Sequence, residues 1–353
     1  MDKSSRVETT SATASLLDKV HIGGKDSSHE LTTDMLSLAR TQPVDAPCTY
    51  IATLPTKGFR TTFIEALNQW LMINSESLDV ITGIIKMLHD VSLIIDDIQD
   101  ESPLRRGRPA THAVFGLAQS LNSSTYLFVE ALAKVHSHFD ANTHAAFTDI
   151  LLRMHVGQSY DLYWSFHSHC PTEQEYLEMV DGKTGAMFEL IVILMESKSS
   201  AARGDTFTRF TRLFGRFFQV RDDFMNLNSE HYAQGKGFCE DLDEEKLSYL
   251  LIVCARRDPA AFRKIMGIFR ARSSAGPSVS SLARESKTYI LSLLEESGTM
   301  KETRTWLLEL ESQLEAEVVA LEKLHGKNNP HFRTLLSKLS LKNADVPIVS
   351  KDT

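Results

Sequence analysis

An all-α fold is what this sequence predicts: one large bundle of about ten or more helices around a central cavity. Three observations predict it. From Phe63 onward apolar residues recur at three- and four-residue steps, whereas the alternation typical of strands is nearly absent. Glycine and proline concentrate between those stretches, at Pro103 to Pro109, Gly116, Pro171, Gly204, Gly235 to Gly237 and Gly276-Pro277. Late in the chain Leu307, Leu310, Leu314, Val318 and Leu321 mark an amphipathic helix with glutamates on its outer face. At 353 residues and 42% hydrophobic content, the chain can bury a substantial core.

Taken in order, residues 1–30 are rich in Ser, Thr, Lys and Asp and read as a disordered lead or a linker. A linker would make the chain one domain of a longer fusion. Weak helical character runs from Glu30 to Ala39, and Pro43, Pro47 and Pro55 then punctuate an extended approach. The helical domain is expected over 31–330, and 331–353 reads as a short, frayed polar tail. Formal net charge is −8 with no dense Lys/Arg block, which argues against nucleic acid as a partner. Four scattered cysteines without metal-ligand spacing suggest reduced thiols in a cytosolic or similar compartment. No stretch approaches the length of a membrane span, and no secretory signal opens the chain.

The chemistry is organised around Leu93-Ile94-Ile95-Asp96-Asp97-Ile98-Gln99-Asp100. Leu78, Ile81, Ile85, Leu88, Ser92 and Ile95 predict a buried helix face leading into it. In a helix Asp96 and Asp100 lie one above the other, with Cβ atoms roughly 6 Å apart and Asp97 turned about 100° away. Carboxylates so close to a core repel one another and lose solvation, and a hard divalent cation removes both penalties. A lone acidic cluster is ordinarily a solvated helix end. Here a second copy exists: Asp222-Asp223…Asn226 ends another apolar run, Leu213, Phe214, Phe217 and Phe218. Two such ends on separate helices can face each other across a bundle and hold metal between them.

Basic residues accompany both ends. Arg105-Arg106-Gly107 follows the first, and Pro103 and Gly107 are expected to hold it in a tight loop. Adjacent arginines repel unless an anion lies beside them, and guanidinium suits phosphate. Lys57 and Arg60 open the helical region, and His89 lies two turns before Asp96 near the same face. Lys183-Thr184-Gly185 interrupts a helix spanning Glu173 to Met195, where the small glycine admits a bulky neighbour. Lys236 and Lys246 follow the second end.

Asp96-Asp97-Ile98-Gln99-Asp100, Arg105-Arg106-Gly107, Gly157-Gln158…Asp161-Leu162-Tyr163-Trp164, Lys183-Thr184-Gly185 and Phe218-Gln219-Val220-Arg221-Asp222-Asp223 together resemble the trans-isoprenyl diphosphate synthases. Leu88-His89 and Lys236-Gly237-Phe238-Cys239-Glu240-Asp241-Leu242 are most similar to the fungal-type geranylgeranyl diphosphate synthases. The resemblance runs from about Pro55 to Leu251. It implies an isoprenoid synthase-type bundle, homodimers or higher homo-oligomers, and Mg²⁺ as cofactor, three ions per site, with Asp96, Asp100 and Asp222 as metal ligands. Asp97 and Asp223 would support them. It further implies that Lys57, Arg60, His89 and Arg106 hold isopentenyl diphosphate. Arg105, Lys183, Thr184, Gln219, Asn226, Lys236 and Lys246 would hold the allylic diphosphate. Where the family has Gly-Lys-Phe-Ser-Phe-Pro, this chain has Glu245-Lys246-Leu247-Ser248-Tyr249-Leu250, so a straighter helix is expected there.

The implied activity is chain elongation: an allylic C–O bond breaks, cationic groups take up the charge on the diphosphate, and isopentenyl diphosphate attacks through its double bond. Asp96, Asp100, Asp222 and Lys183 are the expected catalytic set. Val91 and Ser92, one turn before Asp96, supply no aromatic floor, while Tyr126 and Phe128 are candidates for a lower one. The expected product is geranylgeranyl diphosphate, C20. A prenyltransferase domain of a bifunctional terpene synthase making C20 or C25 diphosphate is the alternative. A class I terpene cyclase fits less well, since both acidic ends are Asp-Asp, and a non-catalytic subunit would show eroded aspartates or arginines.

Overall fold

Side-chain caps and buried stripes set the boundaries of several helices. The computed structural model describes residues 43–56, 58–202, 204, 206–228, 238–274 and 281–342. The expectations for residues 1–30, Glu30 to Ala39, Lys57, Lys236, Gly235 to Gly237 and Gly276-Pro277 lie outside them. The chain divides into two units, Met1–Ala46 and Pro47–Thr353, and the second carries the architecture that follows.

The first helix among the described residues, α1 (Asp45–Thr53), occupies part of the stretch expected to be extended. Pro47 falls in its first turn, where backbone N–H groups have no intrahelical acceptor, so proline is tolerated there. After α2 (Phe59–Leu71) comes α3 (Ser75–Gln99), capped by Asn74, whose side chain accepts from the Ser77 N–H at 2.8 Å. The buried stripe of α3 is Ile81, Ile84, Ile85, Leu88, Val91, Ile94 and then Asp97. This corrects the predicted face: Ser92 is exposed and Ile95 only half-buried. From Leu88 the buried positions step by three, through Val91 and Ile94, and this carries the core face onto Asp97 rather than Asp96.

Strands β1 (Leu104–Arg105) and β2 (Arg108–Pro109) form the expected tight loop as a two-residue hairpin. Its central residues, Arg106 and Gly107, both have positive φ, 56° and 74°. That is the primed turn whose twist suits a hairpin. Then come α4 (Thr111–Phe115), α5 (Leu117–His138), which packs along α3, and α6 (Ala141–His167), capped by Asp140. Next is α7 (Glu173–Val180), opened by a Thr172/Glu175 capping box. It runs into a π-helical turn, Asp181–Gly185, and on into α8 (Ala186–Glu196). The predicted interruption at Lys183 is therefore a bulge inside one helical run.

The remaining helices are α9 (Thr208–Asn228), α10 (Glu240–Asp243), α11 (Tyr249–Arg257), α12 (Pro259–Ser274), α13 (Arg284–Glu296), α14 (Thr299–His325) and α15 (Pro330–Leu339). In α14 all five predicted stripe residues are buried. No helix among the described residues is long and apolar enough to cross a membrane.

An aromatic cluster joins α2, α8, α9 and α15: Phe63 to Phe214 at 5.1 Å, Phe188 to Phe214 at 4.8 Å and Phe210 to Phe332 at 5.0 Å between ring centroids. Phe332 belongs to the stretch read as a polar tail, and here the structure corrects the sequence. Asn329 caps α15, Pro330 begins it, and Phe332, Leu335, Leu336 and Leu339 are buried at helical spacing. Arg221, beside the second aspartate pair, donates from Nε to the Leu339 carbonyl at 2.6 Å and ties this helix to α9.

Because Phe332 is fully buried against Phe63, Trp70 and Phe210, Phe332→Ala should lower unfolding free energy by about 3–5 kcal/mol. Urea unfolding measures it; a change below about 1 kcal/mol would return α15 to the status of a loose tail.

Candidate active site

Both aspartate pairs split in the same way. In the first, Asp97 is fully buried and its Oδ1 accepts from Arg105 Nε at 2.6 Å and from Arg105 Nη2. Asp96 is half-buried and lies 3.7 Å from Arg105 Nη2. In the second, Asp223 is fully buried, whereas Asp222 is half-buried and its side chain makes no hydrogen bond or ion pair among the described residues. Asp223 takes four donors. Gln219 Nε2 and Lys246 Nζ reach Oδ1 at 3.0 and 3.1 Å, and the Tyr176 hydroxyl and Tyr249 N–H reach Oδ2 at 2.5 and 3.1 Å. A buried carboxylate so fully satisfied is a structural anchor.

Two lysines stand between the ends. Lys183 Nζ, on the π turn, lies 2.6 Å from Asp161 Oδ2 of α6 and 3.8 Å from Asp96 Oδ1 of α3. Lys246 adds Asp241 Oδ2 at 3.8 Å to its bond with Asp223. Burial disfavours both ammoniums, but the carboxylates outweigh it and hold both lysines above their usual range. Asp161 answers in kind: burial pushes it up, Lys183 and Lys246 pull it further down, and it stays below the ordinary carboxylate range. Asp100 is different. Burial first, then Asp96 and Glu244, push it up to about 8, against the opposing pull of Lys183 and Lys246. A hydrogen bond from Ser102 Oγ to Glu244 Oε1, 3.0 Å, joins the segment after the first end to the segment beyond the second.

The stretch bearing Lys246 departs from the straight helix predicted for it. Glu245 adopts a left-handed conformation, φ 53°, so the turn survives the loss of the family's glycine. Such a conformation costs a non-glycine residue about 1–2 kcal/mol. Arg272 Nε and Ser273 Oγ, donating to Glu245 Oε1 at 3.0 and 2.8 Å, help hold it. Thr184 Oγ1 donates to Gln219 Oε1 at 2.8 Å, and Asn226 Oδ1 accepts from the Asp241 N–H at 3.3 Å. Gly185 was expected to admit a bulky neighbour; instead it lies against the backbone of α9.

A second basic corner lies two turns back along α3. Arg60 Nη1 is 2.9 Å from His89 Nε2. Burial and then Arg60 and Arg106 lower His89 to about 2, so the ring is neutral. A neutral ring that accepts from Arg60 at Nε2 carries its proton on Nδ1. That Nδ1, like Arg60 Nε, is buried with no hydrogen-bond partner among the described residues. The structure separates the two arginines: Arg105 turns to the aspartates, while Arg106 faces the Leu54 carbonyl at 3.4 Å.

Of the predicted site residues, Asp96, Asp100, Arg105 and Lys183 gather at the first end, Asp222, Gln219, Asn226 and Lys246 at the second, with Thr184 bridging to Gln219. Asp161, Tyr176, Asp241 and Tyr249 carry much of the network without having been assigned a role. Asp161 had a signal, standing in the Gly157-Gln158…Asp161 motif; a buried tyrosine such as Tyr176 has none. Among the described residues no three His, Cys, Asp or Glu side chains already surround a common point. One small cavity, about 130 Å³ lined by Glu189, Val192 and Thr211 among others, lies away from the aspartates. Thr211 is eleven residues before Asp222, roughly 16 Å along α9.

A family model for polyprenyl synthetases matches residues 41–285. Among curated proteins, the sesterterpene synthase btcA of Neocamarosporium betae is 55% identical over 299 residues, covering 85% of this chain and 41% of that protein. The bifunctional terpene synthase FUP1 of Fusarium proliferatum is 44% identical over 302 residues, covering 85% and 40%. Sesterfisherol synthase of Neosartorya fischeri is 43% identical over 322 residues, covering 91% and 42%. The chain spans less than half the length of these relatives.

The unequal aspartates make a direct test. Asp223→Asn weakens the anchor of a buried ammonium and should cost about 3–5 kcal/mol in urea unfolding. Asp222→Asn, with no partner to lose, should stay within about 0.5 kcal/mol. Equal effects would contradict the division between buried anchor and open carboxylate.

Proposed function

Since the chain belongs to the polyprenyl synthetase family, we propose that it is the prenyltransferase part of a longer terpene synthase. It condenses isopentenyl diphosphate with dimethylallyl, geranyl or farnesyl diphosphate, up to a C25 product. The C20 product expected from sequence gives way to C25 because the relatives named above include sesterterpene synthases, and a sesterterpene skeleton has 25 carbons. The observation that carries the condensation reading is the basic corner on α3. Two buried donors, Arg60 Nε of α2 and His89 Nδ1 of α3, have no acceptor among the described residues, and His89 lies about 10 Å along α3 from the aspartates. Unsatisfied buried donors beside arginine are what an incoming diphosphate would satisfy.

In this reading Arg60, His89 and Arg106, with Lys57 from outside the described residues, hold isopentenyl diphosphate. Arg105, Lys183, Thr184, Gln219, Asn226, Lys246 and the undescribed Lys236 hold the allylic diphosphate. The carboxylate set fits Mg²⁺, an ion that takes one or two protein carboxylates and completes its shell with phosphate oxygens and water. Among the described residues Asp97 Oδ2 is buried without a partner, Asp100 is crowded by Asp96 and Glu244, and Asp222 is open. Asp96, Asp100 and Asp222 would hold the ions, three per site, which would supply positive charge to the departing diphosphate. Lys183 and Lys246, fixed by Asp161 and Asp223, add charge that needs no rearrangement as the C–O bond breaks. The neutral His89 donates to its diphosphate from a fixed tautomer and does not take the proton lost after condensation. That proton goes to the departed diphosphate, so no side-chain base is assigned.

The chain grows beside α3 past Val91 and exposed Ser92, neither of them an aromatic stop. Exposed apolar residues line one stripe of α5 (Leu117, Leu121, Val129) and one of α6 (Leu152, Val156, Tyr160, Tyr163). These stripes support the homodimer reading, since a two-fold contact buries the same face twice. Four free cysteines support a reducing compartment such as the cytosol.

With Mg²⁺, isopentenyl diphosphate and each allylic diphosphate in turn, the purified chain should accumulate a C25 diphosphate, read by chromatography after dephosphorylation. C20 as the end product would restore the expectation from sequence, and no consumption of isopentenyl diphosphate would remove the condensation reading. Asp96→Ala or Asp222→Ala should reduce turnover by at least about 10²–10³-fold. Ser92→Tyr should shorten the product; an unchanged distribution would mean that the chain passes elsewhere.

A further inference from the structure

Lys183 and Thr184 sit on a turn that two other helices touch at their backbones. A Cβ at Gly157 of α6 would lie 2.5 Å from the Lys183 nitrogen and 3.0 Å from the Gly182 carbonyl carbon. A Cβ at Gly215 of α9 would lie 2.5 Å from the Gly185 Cα and 2.9 Å from its nitrogen. Backbone cannot yield as a flexible side chain does, so only glycine fits at either place. One helical turn beyond each glycine stands the group that holds the turn's side chain. Asp161, four residues after Gly157, takes Lys183 at 2.6 Å; Gln219, four residues after Gly215, takes Thr184 at 2.8 Å. Residues four apart share a helix face, so each glycine and its polar partner address the turn together. Arg216, next to Gly215, adds paired bonds to Asp181 at 2.7 and 2.6 Å.

We propose that Gly157 and Gly215 are positioning residues for allylic diphosphate. Each lets a flanking helix approach the π turn so closely that Asp161 and Gln219 fix Lys183 and Thr184 from opposite sides. The proposal rests on the diphosphate reading for what Lys183 and Thr184 bind, but the clamp itself is a statement about where Lys183 is held. A Cβ at either glycine must push the turn away by about 1 Å, and a displacement of that size can cost about 10²-fold in rate.

The test compares Gly157→Ala and Gly215→Ala with Gly83→Ala and Gly267→Ala, where an added Cβ meets nothing within 4 Å. Each is made in the full chain and checked for folding by circular dichroism. In the two clamp variants kcat/KM for the allylic diphosphate should fall about 10–100-fold, with KM for isopentenyl diphosphate unchanged within about twofold. Lys183 in Gly157→Ala should also be acylated faster by an amine-reactive reagent, read by peptide mass spectrometry, because its ammonium leaves Asp161. The two control variants should match the wild type in every readout. Folded clamp variants with wild-type kinetics and wild-type Lys183 reactivity would overturn the proposal. If Gly157→Ala does not fold, Gly182→Ala replaces it: its Cβ would meet the Arg153 carbonyl at 3.1 Å across the same contact. It should change Lys183 reactivity in the same direction, and no change refutes the clamp. Inorganic pyrophosphate with Mg²⁺ should protect Lys183 in the wild type. Failure of that protection counts against the diphosphate reading, while the reactivity comparison still decides the clamp.

Discussion

Charge of one sign cannot be gathered inside a protein unless opposite charge holds it there, and here Lys183 and Lys246 do so. Each ammonium joins carboxylates from different segments: Lys183 joins Asp161 of α6 and Asp96 of α3, and Lys246 joins Asp223 of α9 and Asp241 of α10. Taking an ion out of water costs several kcal/mol, so these pairs form only if the helices that carry them come together. The lysines therefore do more than balance charge. They tie each acidic helix end to a neighbouring segment.

Both ends place consecutive aspartates in different surroundings, and helix geometry explains why. Adjacent residues diverge by about 100°, so a helix half-sunk in the core turns one of the pair inward and leaves the other at the rim. Asp97 and Asp223 take the inner place, where Arg105 holds one oxygen of Asp97 and the Lys246 group satisfies both oxygens of Asp223. Asp96 and Asp222 keep the rim. The buried members hold position while the others stay open to solvent.

This split was only partly legible in the sequence. The i, i+1, i+4 spacing of both aspartate sets, the all-helical pattern and the tight loop at Arg106-Gly107 could all be read directly, because each is a local signal. Long-range partners could not. Nothing near Tyr176 marks it as the residue that meets Asp223, 47 positions away. The face of α3 was misread by one step, since the count alternated threes and fours where the buried residues from Leu88 onward step by three. Phe332, Leu335, Leu336 and Leu339 did carry a helical period, but the polar composition after Pro330 hid it. At Glu245 the absence of glycine suggested a straight helix. Tertiary contacts from Arg272 and Ser273 kept the left-handed turn instead, overriding local preference.

The π turn also accounts for how one helical run serves two unlike neighbours on the same side. Tyr176, before the turn, reaches Asp223 of α9, and Phe188, after it, packs on Phe214 of the same helix. Twelve residues separate them, which in an unbroken α-helix would rotate Phe188 about 120° away from the direction of Tyr176. A π bulge takes up one extra residue, closed here by the Ala186 N–H donating to the Asp181 carbonyl. Eleven effective steps leave only about 20° between the two side chains. The same α9 can then receive a polar anchor at its aspartate end and an aromatic one in the core. On the bulge itself, Lys183 and Thr184 diverge toward α6 and α9. An α-helix closing tightly at that point would have kept the aromatic core or the acidic network, not both.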